Sequence, residues 1–197
     1  MTHDGKNLRN MIEIIEYQAR YQPDFKALNL EWLERYNLLE PLDQAVIDDP
    51  QSTIIDKGGY IFLARFTPDG NNGGSNSPDI DGGDANSADI NKSGIDNADT
   101  NSGRIVGTAA LCLEHDGIYE FAKMSVAPEL RGQGIGKMLI SHCLEKARAL
   151  GIKKLMLWSN SQLQPAIAMY TRFGFRHIPV VDSPFVNADV KMELDLD

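Results

Sequence analysis

The sequence predicts a single α/β domain in which helices pack against a mixed sheet. Three observations lead there. Strand-like apolar runs are interleaved with segments whose apolar residues recur at helical spacing. The second half contains one strand–helix–strand crossover, the connection that joins parallel neighbours. At 197 residues the chain is about the length of one domain, enough to bury a core without disulfide or metal staples.

The elements follow in order. "MIEIIEYQ" (11–18) alternates and reads as a strand. "DFKALNLEWLERYN" (24–37) sets Phe25, Leu28, Trp32, Leu33 and Tyr36 at helical spacing. "GYIFLARF" (59–66) and "RIVGTAALCLE" (104–114) read as two strands of a hairpin. Between them, 69–103 is a low-complexity run of Gly, Asn, Asp and Ser. Its three isolated isoleucines bury too little surface to offset the entropy of ordering it. It reads as a flexible insertion in the hairpin turn, tolerable because closure entropy grows only with the logarithm of loop length. Its acidic residues do not match the spacing of a calcium loop. The expected organisation is one domain, 1–197, interrupted at 69–103.

"GIYEFAKMSV" (117–126) is a strand stopped by Pro128. Simple alternation puts Phe121 and Lys123 on one face and Glu120 and Ala122 on the other. "IGKMLISHCLEKARAL" (135–150) repeats apolar residues at Ile135, Met138, Leu139, Cys143, Ala147 and Leu150, with Gly151 as the C-terminal cap. "KKLMLWS" (153–159) is a buried strand, and "QPAIAMYTRF" (164–173) is a helix with Pro165 in its first turn. "FGF" returns the chain to strand, and "ADVKMELDL" (188–196) alternates as the last one.

The formal net charge is −9. The insertion holds seven Asp and one Lys, or −6, leaving −3 for the rest. With no basic stripe to neutralise phosphates, a nucleic-acid partner is not expected. Cys112 and Cys143 form no paired spacing, which fits free thiols in a reducing compartment. No apolar run suits a signal peptide or a membrane span, so a cytoplasmic protein without membrane contact is expected. His3, His115, His142 and His177 have no metal-ligand spacing, and no metal is expected.

The chemistry lies in "ELRGQGIGKML" (129–139). A P-loop would need Gly five residues before Gly136, where Arg131 stands, and Ser or Thr where Met138 stands. A dinucleotide fingerprint would need its third Gly one residue beyond Gly136. What remains, R-G-x-G-x-G opening a helix, still suits phosphate. Glycines let backbone N–H groups approach an anion, the helix N-terminus adds unpaired donors, and Arg131 adds a charged one. The same stretch also fits a glycine-rich turn without a ligand.

"AKMSVAPELRGQGIGKMLI" resembles the acetyl-coenzyme A loop of the GNAT superfamily of N-acetyltransferases, [RQ]-x-x-G-x-[GA], at Arg131, Gly134 and Gly136. "LMLWSNSQLQPAIAMYTRFGF" resembles that superfamily's following strand and helix. The resemblance spans roughly 11–66 and 104–196, and the insertion has no counterpart in it. It implies a GNAT fold: a mixed, mostly antiparallel central sheet, helices on both faces, and a V-shaped splay between the strands at 117–126 and 153–159.

It also implies acetyl-CoA as cosubstrate. The pyrophosphate would be held by Arg131 and the backbone of Gly132, Gln133, Gly134, Ile135, Gly136 and Lys137. Pantetheine would run along the main chain of Met124 and Val126, with the Val126 N–H facing the thioester carbonyl. Asn160 resembles the asparagine that binds the pantetheine arm, although a loop-capping role fits it equally. Tyr170 resembles the general acid that protonates the departing thiolate; packing one helix face is its alternative. Glu120 resembles the base used by some members, with a surface glutamate as its alternative.

The implied activity is direct transfer of an acetyl group to a primary amine of a small molecule or protein. The competing reading is a non-catalytic CoA- or acyl-CoA-binding module. The acceptor amine is not named by any residue. Trp32, Tyr36, Glu31 and the segment "SPFVNADV" are candidates to line its site. Monomer and homodimer both remain open.

Overall fold

The computed structural model describes residues 8–68, 103–115 and 117–196. The sequence-predicted insertion at 69–103 lies outside the described residues except for Gly103. Among the described residues seven strands form one sheet: β1 (Ile12–Glu16), β2 (Tyr60–Phe66), β3 (Arg104–His115), β4 (Ile118–Val126), β5 (Lys154–Ser159), β6 (Arg176–Ile178) and β7 (Val190–Asp195). Their order is β1-β2-β3-β4-β5-β7-β6. Every neighbouring pair is antiparallel except β4–β5. Phe66 pairs with Arg104, so the insertion joins the two ends of an antiparallel β2–β3 pair.

Among the described residues four α-helices cover both faces: α1 (Gln22–Arg35), α2 (Pro41–Asp48), α3 (Ile135–Ala149) and α4 (Gln164–Arg172). Both faces are buried, which explains why β2 reads as an unbroken apolar run rather than an alternation. Its Phe62 and Ala64 join the core beneath α3 and α4, and Ile61 and Leu63 join the core beneath α1 and α2. Along α1, Phe25, Asn29 and Leu33 are buried at four-residue spacing. Ile135, Leu139, Ile140, Cys143, Leu144 and Ala147 form the buried face of α3.

Helix α2 is absent from the sequence expectations. Its start is nevertheless written in the chain. Glu40 and Asp43 form a reciprocal capping box, and Pro41 fills the first helical turn, where its missing N–H is no loss.

The splay has a backbone cause. Strands β4 and β5 pair only from Ile118–Lys154 to Glu120–Met156 and then part. Opposite them, Ala110 pairs with Ala122 but Thr108 pairs with Ser125, so Lys123 and Met124 face the single residue Ala109. That is a β-bulge, and Lys123 takes a positive φ of 51° to make it. The extra residue switches the side-chain parity of the strand. Phe121, Met124 and Val126 pack with one core. Ser125 turns to the other side, where its Oγ donates to the Leu28 carbonyl of α1 at 2.7 Å. The simple alternation therefore fails beyond Ala122: Lys123 does not share the face of Phe121.

A buried polar relay holds the bulge. Thr108 Oγ1 donates to the Lys123 carbonyl at 2.7 Å and accepts from Asn29 Nδ2 at 3.2 Å. Thr108 and Asn29 are both fully buried. Asn29 also donates to the Phe25 carbonyl, which ties the relay to α1. Thr108→Val keeps the shape and strands two buried partners. It is expected to lower unfolding stability by about 2 kcal/mol in chemical denaturation.

Candidate active site

The gap between β4 and β5 opens into a cleft of about 750 Å³, walled by α1, the 130–137 loop, α4 and the 185–188 segment. All twelve site residues expected from the sequence line it: Glu120, Met124, Val126, Arg131 through Lys137, Asn160 and Tyr170. Of the acceptor candidates, Trp32 and Tyr36 line it, as do Phe185, Asn187 and Ala188 of "SPFVNADV". Glu31 instead pairs with Arg35 and Arg131.

The glycine loop ends in a cradle of unpaired donors. Helix α3 begins at the cap residue Gly134, which sits at φ 92°, a conformation that strains any side chain. The first helical bond runs from the Met138 N–H to the Gly134 carbonyl at 3.1 Å. The N–H groups of Ile135, Gly136 and Lys137 precede it and have no partner within the helix. Gly136 is small for a second reason. A Cβ there would lie 2.9 Å from Met124 Cε and 3.4 Å from Met169 Sδ, so α3 packs its first turn tightly onto β4 and α4. The cradle fits an anionic phosphate group by its donors and its dipole.

Arg131 is more engaged than the sequence suggests. Its Nε donates to the Val126 carbonyl at 2.9 Å, and its Nη2 pairs with the Glu31 carboxylate of α1. Guanidinium N–H groups remain for another acceptor. Val126 stands opposite Gly107, one step from the bond donated by Ala127 N–H to the Val106 carbonyl. That makes Val126–Gly107 a non-hydrogen-bonded pair, so the Val126 N–H points away from β3 and toward the splay.

Asn160 serves the loops. Its Nδ2 donates to the Asn187 carbonyl at 2.6 Å, and its Oδ1 accepts from the Gln162 N–H at 2.9 Å. Ser161 adds two bonds to Asp189, so the turn after β5 is fastened to the approach to β7.

Tyr170 lies on α4 in the α3–α4 core, 7% exposed, with its ring edge-on to Phe121 at 5.8 Å. Burial pushes its phenol above the ordinary value, so it stays protonated at neutral pH. Glu120 is half-buried on the α1–α2 side of β4. Desolvation raises its carboxyl to about 7, with the Lys123 ammonium opposing and the Glu114 and Asp43 carboxylates adding. A carboxyl poised there exchanges protons near neutrality.

Sequence reasoning missed Glu40, Asp43 and Lys123, which also line the cleft. Lys123 Nζ pairs with Asp43 Oδ1 at 2.5 Å, each side chain 8% exposed. The Glu40 carboxylate accepts from Val186 N–H at 3.0 Å and Asn187 N–H at 2.7 Å, latching the segment before β7 to the start of α2. The capping box of α2 was readable, but its position over the cleft was not. Among the described residues there is no cluster of three metal-ligating side chains, and no described helix is long and apolar enough to cross a membrane.

The model of the Acetyltransferase (GNAT) family matches residues 80–175. The uncharacterized N-acetyltransferase YjgM of Escherichia coli is 39% identical over 72 residues, 36% of this chain and 43% of that protein. The match thus spans less than half of that relative. A GNAT-family acetyltransferase structure from Staphylococcus aureus superposes with a TM-score of 0.68 at 20% identity, covering 94% of this chain and 99% of that one. A phosphinothricin acetyltransferase from Sinorhizobium meliloti, solved with AcCoA, gives 0.62 at 17% identity, covering 94% and 89%.

A raised carboxyl has a consequence for stability. In the unfolded chain Glu120 ionises near its ordinary value, whereas in the fold it holds its proton up to about 7. The fold therefore loses stability as pH rises between those values, and the loss is complete above 7. Glu120→Gln removes the burden of a buried charge. At pH 8 it is expected to unfold with a stability higher by on the order of 2 kcal/mol, and at pH 4 with little difference, measured by urea denaturation.

Proposed function

We propose, from its similarity to the GNAT family of acetyltransferases, that this chain transfers an acetyl group from acetyl-CoA directly to a primary amine. The observation that carries the reading is one cleft holding both an anion cradle and two proton-transfer groups, Glu120 and Tyr170.

The residues fit the cosubstrate. The N–H groups at 135–137 and Arg131 suit its pyrophosphate, and the unpaired edge of β4 suits its amide arm. Acetyl-CoA, when bound, supplies an activated thioester. The Val126 N–H, aimed into the splay, is placed to stabilise negative charge developing on a carbonyl oxygen. Glu120 takes a proton from the acceptor ammonium, directly or through water, because only the free amine is a nucleophile. Tyr170, held protonated by burial, donates to the leaving sulfur. The amine enters between α1, with Trp32 and Tyr36, and the Phe185 wall.

Acetyl-CoA-dependent release of thiol over a panel of small amines and peptide N-termini tests the reading. Tyr170→Phe is expected to lower kcat about 10²-fold, while acetyl-CoA affinity, followed by thermal shift against ATP and NAD controls, changes less than about twofold. A thermal shift with acetyl-CoA and no turnover on any amine would identify a binding module instead. No shift where ATP or NAD does shift would overturn the acetyl-CoA site.

A further inference from the structure

We propose that Lys123, clamped by Asp43, is a positioning residue for Glu120: its buried ammonium keeps the neighbouring carboxylate in the charged, proton-accepting form. The inference rests on the reading of Glu120 as the base.

The bulge supplies the geometry. Without it Lys123 would follow Phe121 into the core beneath α3 and α4. The positive φ and the two-for-one register turn it instead to the side of Glu120, three residues earlier on the same strand. There it reaches across to Asp43 of α2. The Phe185 ring, 5.9 Å from Nζ, adds a cation–π contact.

A buried ion pair is a poor way to attach a helix. Its desolvation offsets most of its attraction, and apolar residues of equal volume hold as well or better. The Lys123–Asp43 pair also sits in the wall of the cleft rather than in either apolar core. Its location beside the proton-transfer carboxyl gives it a use that packing does not.

The charges around Glu120 leave that use to one residue. Strand β3 presents Cys112 directly opposite and Glu114 two residues on. Asp43 faces it from α2, and Tyr36 and Glu40 line the cleft from the α1–α2 connection. Strand β5 places Met156 alongside. Among these groups Lys123 is the cation. It opposes the burial and the carboxylates that drive Glu120 toward its protonated form. Asp43 fixes the ammonium and at the same time moderates it, so the two partners act on Glu120 with opposite signs.

The test is the acid limb of kcat/KM against pH, with saturating acetyl-CoA and an amine whose own pKa lies well above the range. Lys123→Met is expected to move the limb up by about one pH unit, and Asp43→Asn to move it down, because the ammonium then loses its counter-charge. Lys123→Arg keeps the charge and is expected to keep the limb. Should either single variant fold poorly, the paired change Lys123→Met with Asp43→Leu replaces the ion pair with apolar volume, and its limb is also expected to rise. Acetyl-CoA-induced thermal shifts establish which variants are folded. A limb that Glu120→Gln abolishes but that stays fixed in the folded Lys123 and Asp43 variants would overturn this inference alone. A limb that survives Glu120→Gln would remove Glu120 as the base and take both readings with it.

Discussion

One backbone irregularity organises this molecule. The bulge at Lys123 in β4 is held from behind by the Thr108 hydroxyl and, through it, by Asn29 of α1. Removing a residue from register there does three things together. It keeps β4 from following β5 past Glu120, which opens the cleft. It returns Met124 and Val126 to the core beside Phe121, so the strand stays anchored while its free edge faces the gap. It also moves Lys123 to the side of Glu120, where α2 can meet it. A regular strand would satisfy its backbone bonds better and leave nowhere for a substrate to lie.

The two faces of the sheet then divide the work. The α3–α4 side carries Tyr170 and the start of α3, packed so closely on Met124 and Met169 that a Cβ at Gly136 would have to displace the end of the Met124 side chain. The α1–α2 side carries the polar groups: Glu120, the Lys123–Asp43 pair and the Glu40 latch. Arg131 links the sides, with its guanidinium on the Val126 carbonyl and on Glu31 of α1. The 130–137 loop, the end of β4 and helix α1 are thus joined through one side chain. Tyr170 and Glu120 respond differently to the same influence. Both are desolvated, which holds a phenol firmly protonated but brings a carboxyl to the edge of ionisation.

Much of the site was legible because it is local. The glycine loop is contiguous, and its donors come from the geometry of a helix start that any reader of "RGQGIGKML" can anticipate. The alternative roles weighed for Asn160 also have a visible outcome in part: its amide fastens two loops. The bulge left a trace as well. Apolar residues at Phe121, Met124 and Val126 break a period of two by one residue. Read as a register change, that break places Lys123 correctly; read as a simple alternation, it does not.

By itself the sequence determined the α/β class, the strands and helices other than α2, and the glycine loop that opens α3. Each of these follows from periodicity, caps and glycine positions within a few residues of chain, whereas Glu120, Asn160 and Tyr170 were singled out only by the resemblance. Tertiary structure alone decided what the cleft residues meet. Asp43 and Lys123 are eighty positions apart, Glu31 and Arg131 a hundred, and Glu40 and Asn187 nearly half as many again. No local rule sets such distances. They are fixed by how far a seven-stranded sheet twists and splays before helices from both ends of the chain close over it.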